Sequence, residues 1–232
     1  KKKEAKRMSI AENIARVRAD IAAAAKEAGR KPEEITLVGA SKMNGAAACR
    51  EAVAAGIDAL GENRVQEMTA KLQEHAYDGA PLHFIGHLQR NKVKQVVGKV
   101  NLIQSVGSLE LLEEIEKAAG KLGLVQDILL EVNIGEEEAK SGFAPAELLS
   151  GAEAALGREH VTVLGLMTIP PADAEREENL RYFDKVRALF LDMNEKLFHN
   201  RLQVLSMGMS GDYEDAVRAG ATMVRVGTAI FG

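Results

Sequence analysis

Apolar residues at Ile10, Ile14, Val17, Ile21 and Ala25 recur every three or four positions, and Ser9 stands three residues before Glu12. This spacing predicts an amphipathic helix that opens with a capping box and ends near Gly29. After Pro32 comes a short apolar run, ITLVGA at residues 35–40, which reads as a buried strand with Ser41 and Lys42 at its carboxyl end. A second helix is expected over residues 46–55, stopped by Gly56. Further strand-like segments fall at 57–60, 82–85, 102–106, 128–132, 161–167, 203–206 and 222–226, so eight strands are expected. Helical stretches separate them. The clearest places Leu180, Phe183, Val186, Phe190, Met193 and Leu197 on one apolar stripe.

Strict alternation of strand and helix implies parallel strands joined by right-handed crossovers. Eight of them fit a single closed (β/α)8 barrel better than an open sheet, although the count alone leaves a doubly wound fold possible. The sequence as given stops at Gly232, six residues past the last strand-like residue, so no helix is expected after strand eight. The amino-terminal helix, about 9–29, is then the natural cover for that gap. No linker, repeat or low-complexity tract divides residues 1–232, and one domain is expected.

Composition narrows the chemistry. The 232 residues are 46% hydrophobic and 28% charged, an ordinary globular balance. No apolar stretch approaches the ~20 residues of a membrane span, and the basic stretch from Lys1 to Arg7 leads into a polar helix rather than an apolar signal core, so a cytoplasmic protein with no membrane partner is expected. A single cysteine, Cys49, excludes an internal disulfide and any thiolate-rich metal site. With 30 basic against 34 acidic residues the net charge is -4, which offers nucleic acid no broad attraction. Arg90, Lys92, Lys94 and Lys99 read as a solvated helix face. His83 and His87 lack a carboxylate at ligand spacing and read as strand-end packing.

In a parallel barrel, functional groups gather at the carboxyl ends of the strands, and phosphate commonly binds in the loops after strands seven and eight. Those loops here are Ser206-Met-Gly-Met-Ser210-Gly-Asp212 and Arg225-Val-Gly227-Thr228. Small residues admit an anion close to the backbone, and hydroxyls add donors. Either loop alone also fits an ordinary turn, with Ser210 or Asp212 as an N-cap. Lys42, ending an apolar strand, is expected at the barrel mouth, partly shielded from water, where a neutral amine attacks carbonyls. A solvated surface lysine is the simpler alternative. An aldehyde carrying a phosphate, held at both ends, describes pyridoxal 5'-phosphate (PLP). Arg225, if it faced the pyridine nitrogen, would keep it unprotonated and weaken the ring as an electron sink; pairing with a neighbouring carboxylate is the alternative.

The chain resembles the pyridoxal phosphate homeostasis protein family, also called the proline synthase co-transcribed protein family. The likeness is carried by Gly39-Ala-Ser-Lys42, Leu60-Gly-Glu-Asn-Arg-Val-Gln-Glu67, His83-Phe-Ile-Gly-His-Leu-Gln89 with Asn91-Lys92, Asn133, Lys140-Ser-Gly142, Gly165-Leu-Met-Thr-Ile-Pro170, Leu205-Ser-Met-Gly-Met-Ser210 and Met223-Val-Arg-Val-Gly-Thr-Ala-Ile-Phe-Gly232. The resemblance implies one TIM-like barrel of the alanine racemase type (PLP fold type III) without the additional β domain, with PLP bound as a Schiff base to Lys42. It places phosphate contacts at Ser210, Gly227 and Thr228, the pyridine-facing arginine at Arg225, and ring-side or mouth-lining contacts at Asn63, Met167 and Ser206. Three departures stand out. Met43-Asn44-Gly45 replaces a usual Thr-Lys-Pro, Leu82 replaces a common Trp, and Gly107 stands where Asp is frequent.

The expected function is therefore PLP homeostasis, as a monomer that holds the cofactor and hands it to PLP-dependent apoenzymes, with no dedicated catalytic activity. An amino-acid racemase is the alternative, since any accessible imine exchanges with amines. A two-base racemase needs a group on each face of the ring, supplied in similar racemases by a second domain for which the sequence given leaves no room. A phosphate-binding barrel without PLP is the third reading.

Overall fold

The computed structural model describes residues 6–232; of the basic stretch from Lys1 to Arg7, residues 1–5 lie outside the described residues. Eight strands close into a parallel barrel in sequence order: β1 (Thr36–Ala40), β2 (Ala59–Glu62), β3 (Leu82–Phe84), β4 (Leu102–Val106), β5 (Gln126–Val132), β6 (Val161–Thr168), β7 (Val204–Ser206) and β8 (Met223–Val226). Pairing of β1 with β8, Val38 opposite Arg225, shuts the ring. The helices are α1 (Ile10–Glu27), α2 (Ala46–Ala54), α3 (Val65–Gln73), α4 (Leu109–Leu122), α5 (Leu148–Leu156), α6 (Arg176–Phe198), α7 (Tyr213–Arg218) and α8 (Thr228–Phe231). Between β3 and β4 the chain makes a 3-10 turn, Arg90–Gln95, in place of an α-helix.

Local signals set the ends of these elements. Ser9 Oγ accepts from the Glu12 amide, and Ser108 Oγ accepts from Leu111, each satisfying an amide that helix geometry leaves without a partner. Helix α4 ends at Gly123, whose left-handed φ of 65° an L side chain adopts only with strain. Ile14, Val17, Ile21, Ala24 and Ala25 form the buried face of α1, which lies beside the β8–β1 closure. Asn13 Nδ2 donates to Ile230 O at 2.8 Å, and Tyr213 Oη donates to Asp20 Oδ2 at 2.6 Å. The expectation that no helix follows strand eight is corrected: α8 follows at once, and its buried Ile230 and Phe231 join the outer core.

Strand two differs from its expected range, running over Ala59–Glu62 rather than 57–60. Asp58 belongs to the turn before it, accepting from the Leu37 amide at 2.8 Å and from Arg18. The strand continues into a buried glutamate that no apolar pattern would include, because a buried lysine compensates its charge. Strand five starts earlier, at Gln126, whose side chain donates to Val100 O and accepts from the Gly98 amide. Two apolar layers result. Val38, Ala59, Leu102, Leu129, Met167 and Met223 fill the barrel, and a larger shell packs between sheet and helices.

Candidate functional site

Val38 points into the barrel, and the two-residue period of a strand carries the inward side on to Ala40 and Lys42. Lys42 lies just beyond the last residue of β1, at the rim. Its side chain is exposed, which corrects the partial shielding expected of it. Its backbone, by contrast, is gripped on both sides. Lys71 Nζ donates to Ser41 O at 2.9 Å, and the Met43 amide donates to Glu67 Oε1 at 2.6 Å. Lys71 is itself buried, 2.8 Å from Glu62 Oε1 and 2.9 Å from Glu67 Oε1. Burial opposes its charge, but hydrogen bonds to Glu62 and Glu67 outweigh that and raise its pKa. Ser41 Oγ completes the cluster with a very short hydrogen bond to Glu62 Oε1. Met43 occupies the left-handed region at φ 63° and is exposed.

Below the rim, the barrel interior holds a directed chain of polar side chains. Arg225 Nη1 donates to Ser206 Oγ at 2.5 Å, Ser206 Oγ donates to Gln104 Oε1 at 2.7 Å, and Gln104 Nε2 lies 2.9 Å from His83 Nδ1. Arg225 Nη2 donates to Thr168 O at 2.9 Å. Because the arginine only donates, each later partner has one available role, and His83 Nδ1 must accept. Burial pulls the Arg225 pKa down to about 10 against the attraction of Glu131 and Asp212, and pulls His83 down to about 4. Glu131 is raised to about 7 by burial, opposed by Arg225, Ser141 and Lys140. Arg225 therefore rests on a hydroxyl and a carbonyl, with Glu131 acting on it through space.

The loops after β7 and β8 meet at one hydroxyl. Ser210 Oγ accepts from the Gly227 amide at 3.2 Å and the Ala229 amide at 3.1 Å. Ser210 therefore bridges the two loops rather than capping α7. Asp212 turns back, its Oδ1 accepting from the Met209 amide at 2.7 Å. A side chain at Gly227 would bring its Cβ to 3.2 Å from Ala40 O, against the strand that leads to Lys42. Thr228 is exposed at the start of α8. These donors, a buried guanidinium and a rim amine form a set suited to a phosphorylated aromatic aldehyde.

A mouth cavity of about 390 Å³ opens over the ends of β2, β3, β5 and β6 and is lined by Asn63, His87, Glu131, Asn133 and Ser141. Asn63 Oδ1 is buried there without a partner. Lys42, Ser210, Arg225, Gly227 and Thr228 do not line this cavity, which lies to one side of the two phosphate-type loops. Met167 is fully buried in the inner apolar layer, and Ser206 is equally buried in the polar chain. Met207 belongs to the outer core, and Met209 is exposed.

The sequence reading missed Lys71, Glu67, Gln104 and Glu131, and placed His83 at a strand end rather than inside the barrel. The available signal was a polar residue at an inward position of a strand, shared by His83, Gln104 and Glu131. Nothing local marked Lys71, one of 30 basic residues.

The family model described as the alanine racemase N-terminal domain matches residues 10–232. A protein of Aquifex aeolicus named pyridoxal phosphate homeostasis protein is 44% identical over 225 residues, spanning 97% of this chain and 98% of its own. The structure of PipY from Synechococcus elongatus, solved with PLP bound, superposes with a TM-score of 0.85 at 36% identity, covering 97% of this chain and all of PipY. Alanine racemase of Clostridium difficile shares the fold, with a TM-score of 0.71 at 19% identity; the match covers 93% of this chain and 56% of the racemase.

Proposed function

Because the chain belongs to the pyridoxal phosphate homeostasis protein family, we propose that it binds PLP and serves intracellular vitamin B6 homeostasis. PLP supplies an aldehyde that reacts with amines and a phosphate that needs several donors. In this reading Lys42 holds the aldehyde carbon as a Schiff base, and Arg225 faces the ring nitrogen. Ser210, Gly227 and Thr228 bind the phosphate, Asn63 and Ser206 contact the ring side, and Met167 packs beneath. The observation that carries the reading is the meeting of the Gly227 and Ala229 amides at Ser210 Oγ, beside the strand that presents Lys42.

The chain's own residues divide the work. Glu67 and Lys71 fix the backbone on either side of Lys42, while its side chain stays exposed and open to exchange with amines. Arg225, held by Ser206 and Thr168 O, donates and cannot give up a proton at ordinary pH, so it leaves the ring nitrogen without one. Such an arrangement suits retention and release of a cofactor better than carbanion chemistry. A monomer that passes PLP to apoenzymes in the cytoplasm completes the proposal. The racemase alternative has less support, because the racemase structure is 19% identical and the match covers 56% of it.

Purified protein incubated with PLP should show a visible absorbance band that borohydride abolishes, leaving phosphopyridoxyl mass on Lys42. Persistence of the band in Lys42→Ala, or no band in the wild type, would refute the assignment. Transfer of PLP to an apoenzyme without turnover of an L-amino-acid panel separates carrier from racemase.

A further inference from the structure

A second cavity, about 680 Å³, adjoins the mouth and shares His87 and Ser141 with it; Gln89, Arg90, Ser105 and Ser108 also line it. It opens at the amino end of α4, a helix of 14 residues. Two of that helix's early amides are satisfied, Leu111 by Ser108 Oγ and Leu112 by Ser108 O. The Leu109 and Glu110 amides have no helical carbonyl one turn earlier, where Ser105 and Val106 belong to β4, and remain as donors at the positive end of the helix. An independent observation points to the same place. Ser105 is 4% exposed, and its buried Oγ has no hydrogen-bond partner. A buried hydroxyl without a partner is costly, and this one borders a cavity that the first turn of α4, through Ser108, Glu110 and Leu111, and the exposed Arg90 also line.

We propose that this cavity is an oxyanion subsite, separate from the Ser210–Gly227 loops, that takes a compact phosphate or carboxylate group. Ser105 Oγ and the Leu109 and Glu110 amides hydrogen-bond the anion, and Arg90 supplies charge from the rim. Glu110 is the only carboxylate lining the cavity among the described residues; it is exposed and free to turn toward solvent. Gly107 also lines the cavity and keeps its floor tight, since a Cβ there would sit 2.6 Å from Gly142 N. Sharing His87 and Ser141 with the mouth lets a ligand anchored here by a carboxylate extend its other end toward the rim. The inference does not depend on PLP.

The test uses the full ¹⁵N-labelled chain freed of PLP, titrated with inorganic phosphate and, separately, with glycine as the carboxylate probe. Phosphate should move the Ser108, Leu109 and Glu110 amide resonances saturably, in wild type and in Ser210→Ala alike. Ser105→Ala should weaken that binding by about tenfold, the usual scale for a hydrogen bond to a charged group. Arg90→Ala, on the exposed rim and harmless to folding, should weaken it severalfold. Movement with glycine and not phosphate would support the subsite and identify a carboxylate as its ligand. The proposal is overturned if neither probe moves those amides, if shifts are confined to Gly227–Ala229, or if Ser105→Ala binds as tightly as wild type. None of these readouts involves Lys42, so failure here and failure of the PLP reading are distinguishable.

Discussion

The Met43 amide donates a 2.6 Å hydrogen bond to Glu67 Oε1, tying the peptide directly after Lys42 to helix α3. The same oxygen lies 2.9 Å from the buried Lys71 ammonium, which in turn holds the carbonyl directly before Lys42. The two backbone anchors of the rim lysine are thus one electrostatic unit. Glu67→Ala removes an acceptor from an amide already strained at φ 63°. PLP retention, read by borohydride trapping at Lys42, should fall about tenfold, the scale of one charge-assisted hydrogen bond. Glu67→Gln keeps an acceptor for the amide and should recover most of the trapping. Equal loss in both variants would show that the charge, rather than the anchoring, matters.

Removing Lys71 should do more harm than removing Glu67, because Glu62 is fully buried and would lose its cationic partner, with one of its oxygens, Oε2, already unpaired. Breaking a buried pair on one side costs about 3–5 kcal/mol, so urea denaturation of Lys71→Met should show a loss of that order. The double variant Lys71→Met/Glu62→Gln should regain much of it. The pH dependence has a definite sign. The Lys71 pKa is raised on folding, so its contribution is fully present below the ordinary value of 10.5 and is lost as pH rises through the higher folded value. Wild-type stability should therefore fall above that pH more steeply than that of Lys71→Met.

How much of this was legible in the sequence depends on range. The Ser9 cap, strand four and the rim position of Lys42 are local, and hydrophobic spacing or a neighbouring residue was enough to find them. The Ser210 loop stands out in the sequence because barrel topology directs attention to the last two strands. Lys71 was not legible, since its partners come from three different segments and its own helix reads as ordinary surface. His83, Gln104 and Glu131 were missed for another reason. Each is a polar residue at an inward position of its strand, and in the sequence such a residue resembles a strand end until ring closure brings the three to one interior. Met167 was placed by resemblance, and only the barrel's layer structure shows how deeply it lies.

Ser206 is the hinge of the interior chain, accepting from Arg225 and donating to Gln104. Ser206→Ala leaves a buried guanidinium with one partner and a buried amide oxygen with none. An unmet buried group costs about 1–3 kcal/mol, more when charged. The variant should lose about 2–4 kcal/mol in urea denaturation and, with Arg225 unseated, should bind PLP more weakly even though Lys42 is untouched. Ser206→Thr preserves both roles if the methyl fits, and recovery there would assign the loss to hydrogen bonding. Unchanged PLP affinity in Ser206→Ala would separate Arg225 from the cofactor.

His83 and Glu131 oppose one another across the acid range. His83 is held neutral down to about pH 4 in the fold, against 6.5 when exposed, so its contribution falls as pH drops below 6.5. Glu131 holds its proton up to about pH 7, against 4.5 when exposed, so its contribution falls as pH rises above 4.5. Each slope is about 1.4 kcal/mol per pH unit, with opposite sign. Between pH 4.5 and 6.5 the two cancel in the wild type. Replacing either should expose the other. Glu131→Gln should gain stability as pH rises through that window, relative to wild type, and should remain the more stable protein above pH 7. His83→Gln, which can still accept from Gln104, should lose stability across the same window. Denaturation midpoints of the three proteins from pH 4.5 to 7.5 would test this, and parallel curves would show that neither group is as buried as the barrel interior makes it.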